Sequence, residues 1–203
     1  MRLEQAIKIV SEQIDALLCT KEKIIVAIDG ISASDKSMLA HVLHRIYIPD
    51  TTIFRTDDFS LRKEQRDPKR IAKPGYNFDW ERFEQQVLIP LSQDKPVIYQ
   101  RFNFSTEELE PSVTVIPAKI NIVEGTFCMN ENLQKYYDYS VLVRMLPSAL
   151  EERLRNRSAA KNSIFASRQP LEEIYFEKTD VASKCSLVVD LEKQWAAEND
   201  SSF

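Results

Sequence analysis

The chain has 203 residues, of which 43% are apolar, and a net charge of −4. This length and composition suit one domain with a proper core, and the acidic balance argues against nucleic-acid or anionic-membrane binding, which needs clustered Lys and Arg. Three scattered cysteines without a C-x-x-C pair, no signal-peptide pattern and no long apolar run predict a cytoplasmic protein without a membrane partner.

The spacing of apolar residues predicts alternating helices and strands. Helical spacing marks residues 2–19 as an amphipathic helix, and the short apolar run in KIIVAID is typical of a central parallel strand covered on both faces. Further strands are predicted at TTIFRT, PVIYQRF, SVTVIPA, KINIVEG, YSVLVRM and CSLVVDL. Further helices are predicted at KSMLAHVLHRI, DWERFEQQVLIPLSQ (with Asp79 as its N-cap), ENLQKYYD, PSALEERLRNRSA and PLEEIYFEKTDVASK.

Strands that alternate with helices over most of a chain form a mostly parallel sheet with helices on both faces. We therefore predict a three-layer α/β/α fold, with a small β-hairpin made from PVIYQRF and SVTVIPA and a lid late in the chain. The predicted organisation is an N-terminal helix at residues 1–21 packed on the domain, the domain itself at 22–191, and a tail at 192–203. The charged segment 61–77 is predicted to be a long surface connection.

The stretch IDGISASDKS has the spacing of a phosphate-binding loop. In the pattern G-x-x-x-x-G-K-[ST], backbone N–H groups surround the phosphates, the Lys reaches the β- and γ-phosphates, and the hydroxyl binds Mg²⁺. Gly30, Lys36 and Ser37 stand at the required positions, after a strand and before a helix whose N-terminus favours anions. The alternative is an ordinary strand–turn–helix with an exposed Lys-Ser pair. On the first interpretation the cofactors are ATP and Mg²⁺, and the nucleotide is bound by Gly30, Ser32, Ala33, Ser34, Asp35, Lys36, Ser37 and Met38.

Acidic residues follow two other predicted strands. Asp57 and Asp58 directly follow TTIFRT, a strand expected to lie next to KIIVAID in the sheet. Glu124 ends KINIVEG just before Gly125. A carboxylate in such a place can accept the proton of an attacking hydroxyl or bind Mg²⁺. Asp57 is therefore a candidate catalytic residue and Asp58 a candidate substrate-binding residue, while Ser37, Asp57 and Glu124 are candidate metal ligands. Paired acids at a strand end are also common as helix N-caps.

The predicted hairpin carries a basic and aromatic group. Tyr99, Arg101 and Phe102 could stack on and hydrogen-bond a nucleobase or a similar ring, and so bind the substrate. They could equally be pairing positions of a two-stranded ribbon. His41 and His44, on the helix after the loop, are interpreted as packing or surface residues.

Three arginines lie on or just past a late predicted helix: Arg153, Arg155 and Arg157. Guanidinium groups on a lid can stabilise charge on a transferring phosphoryl group. The alternative is a solvated helix face, which is our interpretation for at least one of the three.

Taken in order, IDGISASDKS, TDDF, PGYNFDWERF, VIYQRF, IVEGTF, YFEKTD and LVVD resemble the uridine kinase-like branch of P-loop kinases, a group that includes the phosphoribulokinases. The resemblance covers roughly residues 22–191, nearly the whole chain, and implies a P-loop NTPase fold. It also implies ATP-dependent phosphorylation of a hydroxyl on a nucleoside or related small molecule. Related kinases often self-associate, so a homo-oligomer is a further expectation. In the family's pattern, Lys36 and Ser37 are the lysine and the Mg²⁺-binding hydroxyl of the loop, Asp57 is the catalytic acid residue, and Glu124 helps to hold Mg²⁺. Arg153 and Arg157 fall in the region of the lid arginines, where the resemblance implies a nucleotide-binding role for Arg153 and a catalytic role for Arg157.

The sequence departs from this family in the loop itself, which reads close to G-x-S-G-S-G-K-[ST]-T in relatives. Ala33 and Asp35 replace two glycines, and Met38 replaces a small hydroxyl residue. Two unit charges ~4 Å apart at an effective dielectric constant of ~20 repel by ~4 kcal/mol, which is roughly a thousandfold in affinity. Two functions are therefore expected: an active kinase with a modified loop, or a kinase-like protein that binds a ligand or partner without catalysis.

Overall fold

The computed structural model describes residues 1–146 and 163–191. Its strands are β1 (Ile24–Asp29), β2 (Thr51–Arg55), β3 (Val97–Tyr99), β4 (Phe102–Asn103), β5 (Glu108–Leu109), β6 (Val113–Val115), β7 (Ile120–Glu124), β8 (Tyr139–Met145) and β9 (Leu187–Leu191). Its helices are α1 (Leu3–Leu18), α2 (Lys36–Ile46), α3 (Pro68–Ile71), α4 (Trp80–Phe83), α5 (Ile89–Ser92), α6 (Ser163–Thr179) and α7 (Val181–Lys184). The predicted helix at 147–159, with its three arginines, and the predicted tail at 192–203 lie outside the described residues.

The central sheet has five parallel strands in the order β2–β7–β1–β8–β9, as the alternation of strands and helices predicts. Glu124, at the end of β7, pairs with Ile28 on one side and with Arg55 on the other. The expectation that β2 lies next to β1 is wrong, because the connection through α2 skips one strand position, which β7 fills. The carboxyl ends of β1, β2 and β7 still share one edge, and this is where ligands bind in open α/β sheets.

Both faces of the sheet are buried, which makes the fold three-layered. Successive side chains of a strand point to opposite faces. Ile24, Val26 and Ile28 of β1 therefore pack in the cluster that contains α1 and α2. Ile25 and Ala27 pack in the cluster that contains residues of α4, α5, α6 and α7. Full burial of an aliphatic side chain stabilises the fold by ~1.5–3 kcal/mol, so an uninterrupted apolar run is the sequence mark of a strand without a solvent face.

The predicted helix after Asp79 is present, and Asp79 caps it by accepting a hydrogen bond from the Arg82 amide at 3.3 Å. The helix is not uniform, because the π-helical segment Glu84–Leu88 separates α4 from α5. Pro90 stands at the start of α5 and has no N–H to donate to the preceding turn. The wider turn ahead of it accommodates the missing hydrogen bond.

The predicted hairpin lies beside the parallel sheet. β3 pairs antiparallel with β6, and β4 pairs antiparallel with β5, so two short ribbons are nested within residues 97–115. Two other predictions differ in detail from the structure. ENLQKYYD contains only the 3-10 turn Gln134–Tyr136, and the late helix begins at Ser163 with Pro170 inside it. No helix in the described ranges is long and apolar enough to span a bilayer.

Candidate active site

The loop between β1 and α2 turns through two left-handed residues. Ala33 has φ 73° and Asp35 has φ 67°, and these are the two positions where glycine would be expected. A left-handed backbone costs a non-glycine residue ~1–2 kcal/mol. Ala33 and Asp35 therefore adopt backbone conformations that glycine favours, so at these two positions the departure from the predicted loop lies in the side chains.

The loop is packed tightly against β8 and against itself. A Cβ added at Gly30 would come within 2.4 Å of the Val143 carbonyl oxygen and 2.5 Å of Ser34 Oγ, so only glycine fits there. Lys36 and Ser37 are the first residues of α2, and Lys36 is buried. The loop thus places an ammonium group and a hydroxyl at a helix N-terminus, as an anion site requires.

The predicted metal ligands Ser37 and Glu124 are in contact. Ser37 Oγ donates a hydrogen bond of 2.7 Å to Glu124 Oε1, and Glu124 is buried at the end of β7. This contact joins the start of α2 to the end of a strand that comes far later in the sequence. No group of three or more His, Cys, Asp or Glu side chains able to hold a metal occurs among the described residues. A cation at this edge would therefore rely on the hydroxyl–carboxylate pair together with oxygens from a substrate.

The ends of β2 and β7 approach each other closely where the acids lie. Gly125 has φ 140°, and a Cβ there would come within 2.0 Å of Thr56 Oγ1. Thr56 Oγ1 itself donates to the Thr126 carbonyl at 3.1 Å. Asp57 follows Thr56 and is exposed at the same edge of the sheet as Glu124. The structure therefore gathers Ser37, Glu124 and Asp57 around one edge.

Asp29, the last residue of β1, is a buried acid that the sequence analysis did not single out. Its carboxylate accepts hydrogen bonds from the Gly30 amide (2.7 Å), the Phe127 amide (3.2 Å), the Met129 amide (2.9 Å) and the Tyr175 hydroxyl (2.9 Å). Burial raises the pKa of Asp29 to about 6, and the hydrogen bonds act in the opposite direction. Asp29 thus ties the start of the loop to α6 and to the segment that follows β7.

A cleft of about 420 Å³ opens beside the acids, and its lining is mostly polar. Arg101 Nε lies 3.6 Å from Asp58 Oδ2 within it. Burial raises the pKa of Asp58, and the nearby charges of Arg101 and Arg55 oppose that rise. Apart from Ile53, the lining consists of His41, His44, Arg55, Asp58, Tyr99 and Arg101.

Comparisons with known proteins bear on the fold. No protein-family model and no curated protein sequence matches the chain. Solved structures do match. The chain is similar to a possible uridine kinase from Bacillus stearothermophilus, with a TM-score of 0.69 and 18% identity over 94% of this chain and 100% of that one. It is also similar to a D-glycerate 3-kinase from Cryptococcus neoformans (TM-score 0.55, 16% identity, 79% of this chain and 80% of that one). A third structure, described as a candidate P-loop-containing kinase with a circular permutation from Saccharomyces cerevisiae, has a TM-score of 0.60 and 14% identity over 96% of this chain and 100% of that one. The fold is that of the P-loop kinases.

Within this P-loop kinase fold, α6 contributes a second acid that the sequence analysis missed. Glu172 is buried, and its two carboxylate oxygens accept hydrogen bonds from Ser32, at 2.8 Å from the amide and 2.5 Å from the hydroxyl. Ser32 belongs to the loop that the sequence predicted to bind phosphates. A carboxylate 140 residues later in the chain therefore accepts from an amide of the predicted phosphate loop.

Arg82 holds the acidic turn and the hairpin of this fold together. Its side chain donates to the Gln100 carbonyl at 2.6 Å, to the Asp58 carbonyl at 3.1 Å and to the Asp79 carboxylate at 3.2 Å. The guanidinium group also lies 4.3 Å from the centre of the Phe59 ring. Sequence patterns give no sign of this role, because one arginine on a helix usually faces solvent.

The predicted substrate-binding residues of the kinase fold are only partly brought together. Tyr99 and Arg101 line the cleft with Asp58, but the Tyr99 ring is buried and stacked on Phe59 at 5.5 Å between ring centres. Phe102 is buried and packs edge-on against Phe104, outside the cleft lining. His41 and His44 line the cleft, which the sequence analysis did not foresee. Arg153, Arg155 and Arg157 lie outside the described residues.

Proposed function

We propose that the protein is an Mg·ATP-dependent kinase that transfers a phosphoryl group to a hydroxyl of a small molecule, a nucleoside or a related compound. The observation that carries this proposal is the contact between Ser37 Oγ and Glu124 Oε1 at the end of the loop. In the phosphate-loop pattern the hydroxyl at this position binds Mg²⁺, and a carboxylate beside it completes the arrangement.

The residues present fit a magnesium ion. Mg²⁺ prefers hard oxygen ligands, and it is usually held by one or two carboxylates together with substrate phosphates. Ser37 and Glu124 would supply the protein's oxygens, and the ion would neutralise charge on the phosphates. Lys36 and the N-terminus of α2 would hold the same phosphates from the loop side.

Asp57 is the base in this proposal. The acceptor hydroxyl gives its proton to the Asp57 carboxylate as its oxygen forms a bond to the γ-phosphorus of ATP. The bond from the γ-phosphorus to the bridging oxygen breaks, and ADP leaves. Asp57 suits this role because it is exposed at the edge of the sheet that also carries Glu124.

The cleft beside Asp57 would bind the acceptor. Arg55 and Arg101 offer guanidinium forks, and Asp58 can accept hydrogen bonds from hydroxyl groups. Ile53 alone among the lining residues is aliphatic, and the Tyr99 ring is stacked on Phe59. These features support a small, polar acceptor bound through its hydroxyls and charged or carbonyl groups more than through stacking of a base.

A second candidate function is binding of a ligand or partner without catalysis. Two carboxylates favour it: Asp35 lies in the loop, and Glu172 accepts hydrogen bonds from it. Both oppose a polyanion at the site where ATP would bind.

A coupled assay of ADP release separates the two functions. Nucleosides, sugars and hydroxy acids are offered as acceptors at millimolar Mg·ATP, and calorimetry measures ATP binding in parallel. Turnover with one acceptor supports the kinase, and Asp57→Asn should lower kcat by about a hundredfold or more. Asp50→Asn is the matched control, because Asp50 is an exposed acid at the other end of β2.

The outcomes are distinct. Folded protein that binds ATP but releases no ADP with any acceptor would favour the binding function. Equal loss of kcat in Asp57→Asn and Asp50→Asn would remove Asp57 from the mechanism.

A further inference from the structure

Two side chains that lie one turn apart on helix α6 contact the predicted phosphate loop and the strand residue just before it. Glu172 accepts from the amide and the hydroxyl of Ser32, and Tyr175 donates to the carboxylate of Asp29 at 2.9 Å. Residues three apart on a helix lie on the same face. Both side chains are fully or almost fully buried, so α6 holds the loop at its start and at its third residue.

The Glu172 contact has the chemistry of a phosphate contact. A phosphate oxygen in a phosphate loop accepts hydrogen bonds from backbone amides, and Glu172 offers the same kind of anionic acceptor to Ser32. The Ser32 donors are saturated by one carboxylate, with distances of 2.8 Å and 2.5 Å to its two oxygens. A nucleotide phosphate that needs these donors has to replace that carboxylate.

Charge makes simultaneous occupancy unfavourable. Lys36 is the buried cation of the loop, while the acids around it are Asp29, Asp35, Glu124 and Glu172. A polyphosphate close to Glu172 would add strong like-charge repulsion within a poorly solvated site. Mg²⁺ beside Glu124 would offset part of that charge, but it would act from the far side of the loop at Ser37.

We propose that Glu172 is an internal competitor for the phosphate loop, so that nucleotide binding requires α6 to release Ser32. This inference rests on the proposed function, since it assumes that the loop binds nucleotide phosphates. Release of Glu172 moves a helix that also carries Tyr175, so nucleotide binding is coupled to the position of α6. A stronger Ser32–Glu172 contact then means a weaker affinity for nucleotide.

The test is Glu172→Gln, which keeps the size of the side chain and an oxygen acceptor but removes the charge. We expect it to tighten the binding of Mg·ADP, measured by calorimetry, by between about tenfold and about a thousandfold. Glu173→Gln is the matched control, because Glu173 is the next residue of α6 and is exposed. It should leave the affinity within about twofold of the wild type.

A second variant and a second measurement guard against misfolding. Ser32→Ala removes the hydroxyl donor and keeps the amide, and it should also tighten Mg·ADP binding, though by less than Glu172→Gln. Hydrogen exchange of the amides at 169–179 should accelerate in wild-type protein when Mg·ADP is added, because α6 loses its contact with the loop.

The results that overturn the proposal are separable from failure of the proposed function. Two results would reject the competition alone. Folded Glu172→Gln would bind Mg·ADP no more tightly than the wild type, or Mg·ADP would slow hydrogen exchange of the α6 amides. Absence of Mg·ADP binding in both the wild type and Glu172→Gln rejects the nucleotide site and the competition together.

Discussion

Asp35 combines a carboxylate with a left-handed backbone, and two substitutions separate these departures from a phosphate loop. Asp35→Asn removes the charge but keeps the side-chain size and a residue that tolerates φ 67°. Ala33→Gly leaves the charge alone and relieves the backbone at φ 73°. Only Asp35→Asn changes the charge of the loop, so a charge effect on affinity can be separated from a backbone effect.

The two magnitudes follow from general values for charge repulsion and backbone strain. A carboxylate ~4–8 Å from a phosphate charge at an effective dielectric constant of ~20 is repelled by ~2–4 kcal/mol. Asp35→Asn should therefore tighten Mg·ATP binding by between about thirtyfold and about a thousandfold. Ala33→Gly removes ~1–2 kcal/mol of backbone strain, but it adds flexibility to the unfolded chain and deletes a buried methyl group, each of which costs ~0.5–1 kcal/mol. It should therefore change the free energy of unfolding by less than ~1 kcal/mol, with little change in affinity.

Calorimetry with Mg·ATP and thermal unfolding are the assays, and the chain supplies a matched control. Asp180 is also a left-handed aspartate at the N-cap of a helix, with φ 45°, and it is exposed at the start of α7. Asp180→Asn should leave ATP affinity unchanged. Unchanged affinity in folded Asp35→Asn would refute the reasoning, since the carboxylate would then not face the nucleotide. An equal gain in ATP affinity in Asp35→Asn and Asp180→Asn would show that only the total charge of the protein matters.

Four other substitutions test the site and its support. Ser37→Ala and Glu124→Gln should each raise the Mg²⁺ concentration for half-maximal activity by about tenfold or more; an unchanged Mg²⁺ dependence would reject the shared ion. Gly125→Ala should lower the free energy of unfolding by ~2–4 kcal/mol, because its Cβ would lie 2.0 Å from Thr56 Oγ1; a wild-type urea midpoint would show that the close approach is absent. The pKa of Asp29 is about 6 in the native protein, because of burial, and near 3.8 in an unfolded chain. The protonated carboxyl therefore stabilises the fold fully below about pH 4, and this contribution is lost as the pH rises through about 6. Urea unfolding at several pH values should show this loss in the wild type and not in Asp29→Ala, and identical pH profiles would contradict it.

The sequence predicts those parts of the site that depend on local patterns. Gly30, Lys36 and Ser37 stand at fixed spacing between a strand and a helix, and both are present in the structure. Glu124 follows a buried apolar run, and strand ends of a parallel sheet meet at one edge. The position of Glu124 at a strand end, close in the sheet to the loop that carries Ser37, is therefore enough to predict that the two residues lie near each other.

The remaining contacts depend on geometry that no local pattern carries. Glu172 lies 140 residues after Ser32, and helical periodicity shows only that it could be buried, not what it touches. His41 and His44 project into the cleft because α2 packs its apolar side on the sheet, which leaves its other side to form a wall. The place of β7 between β1 and β2 is likewise set by a crossover that connection lengths do not reveal.

The nested ribbons at residues 97–115 make no ladder with the parallel sheet. Arg101 reaches the cleft from this appendage, whereas the loop and the acids belong to the sheet edge. In the proposed kinase the acceptor cleft would thus be built jointly by the parallel-sheet domain, which supplies five of its seven lining residues, and by the ribbons, which supply Tyr99 and Arg101. Substitution of Tyr99 and Arg101 would be a route to a new acceptor that leaves the residues of the loop unchanged.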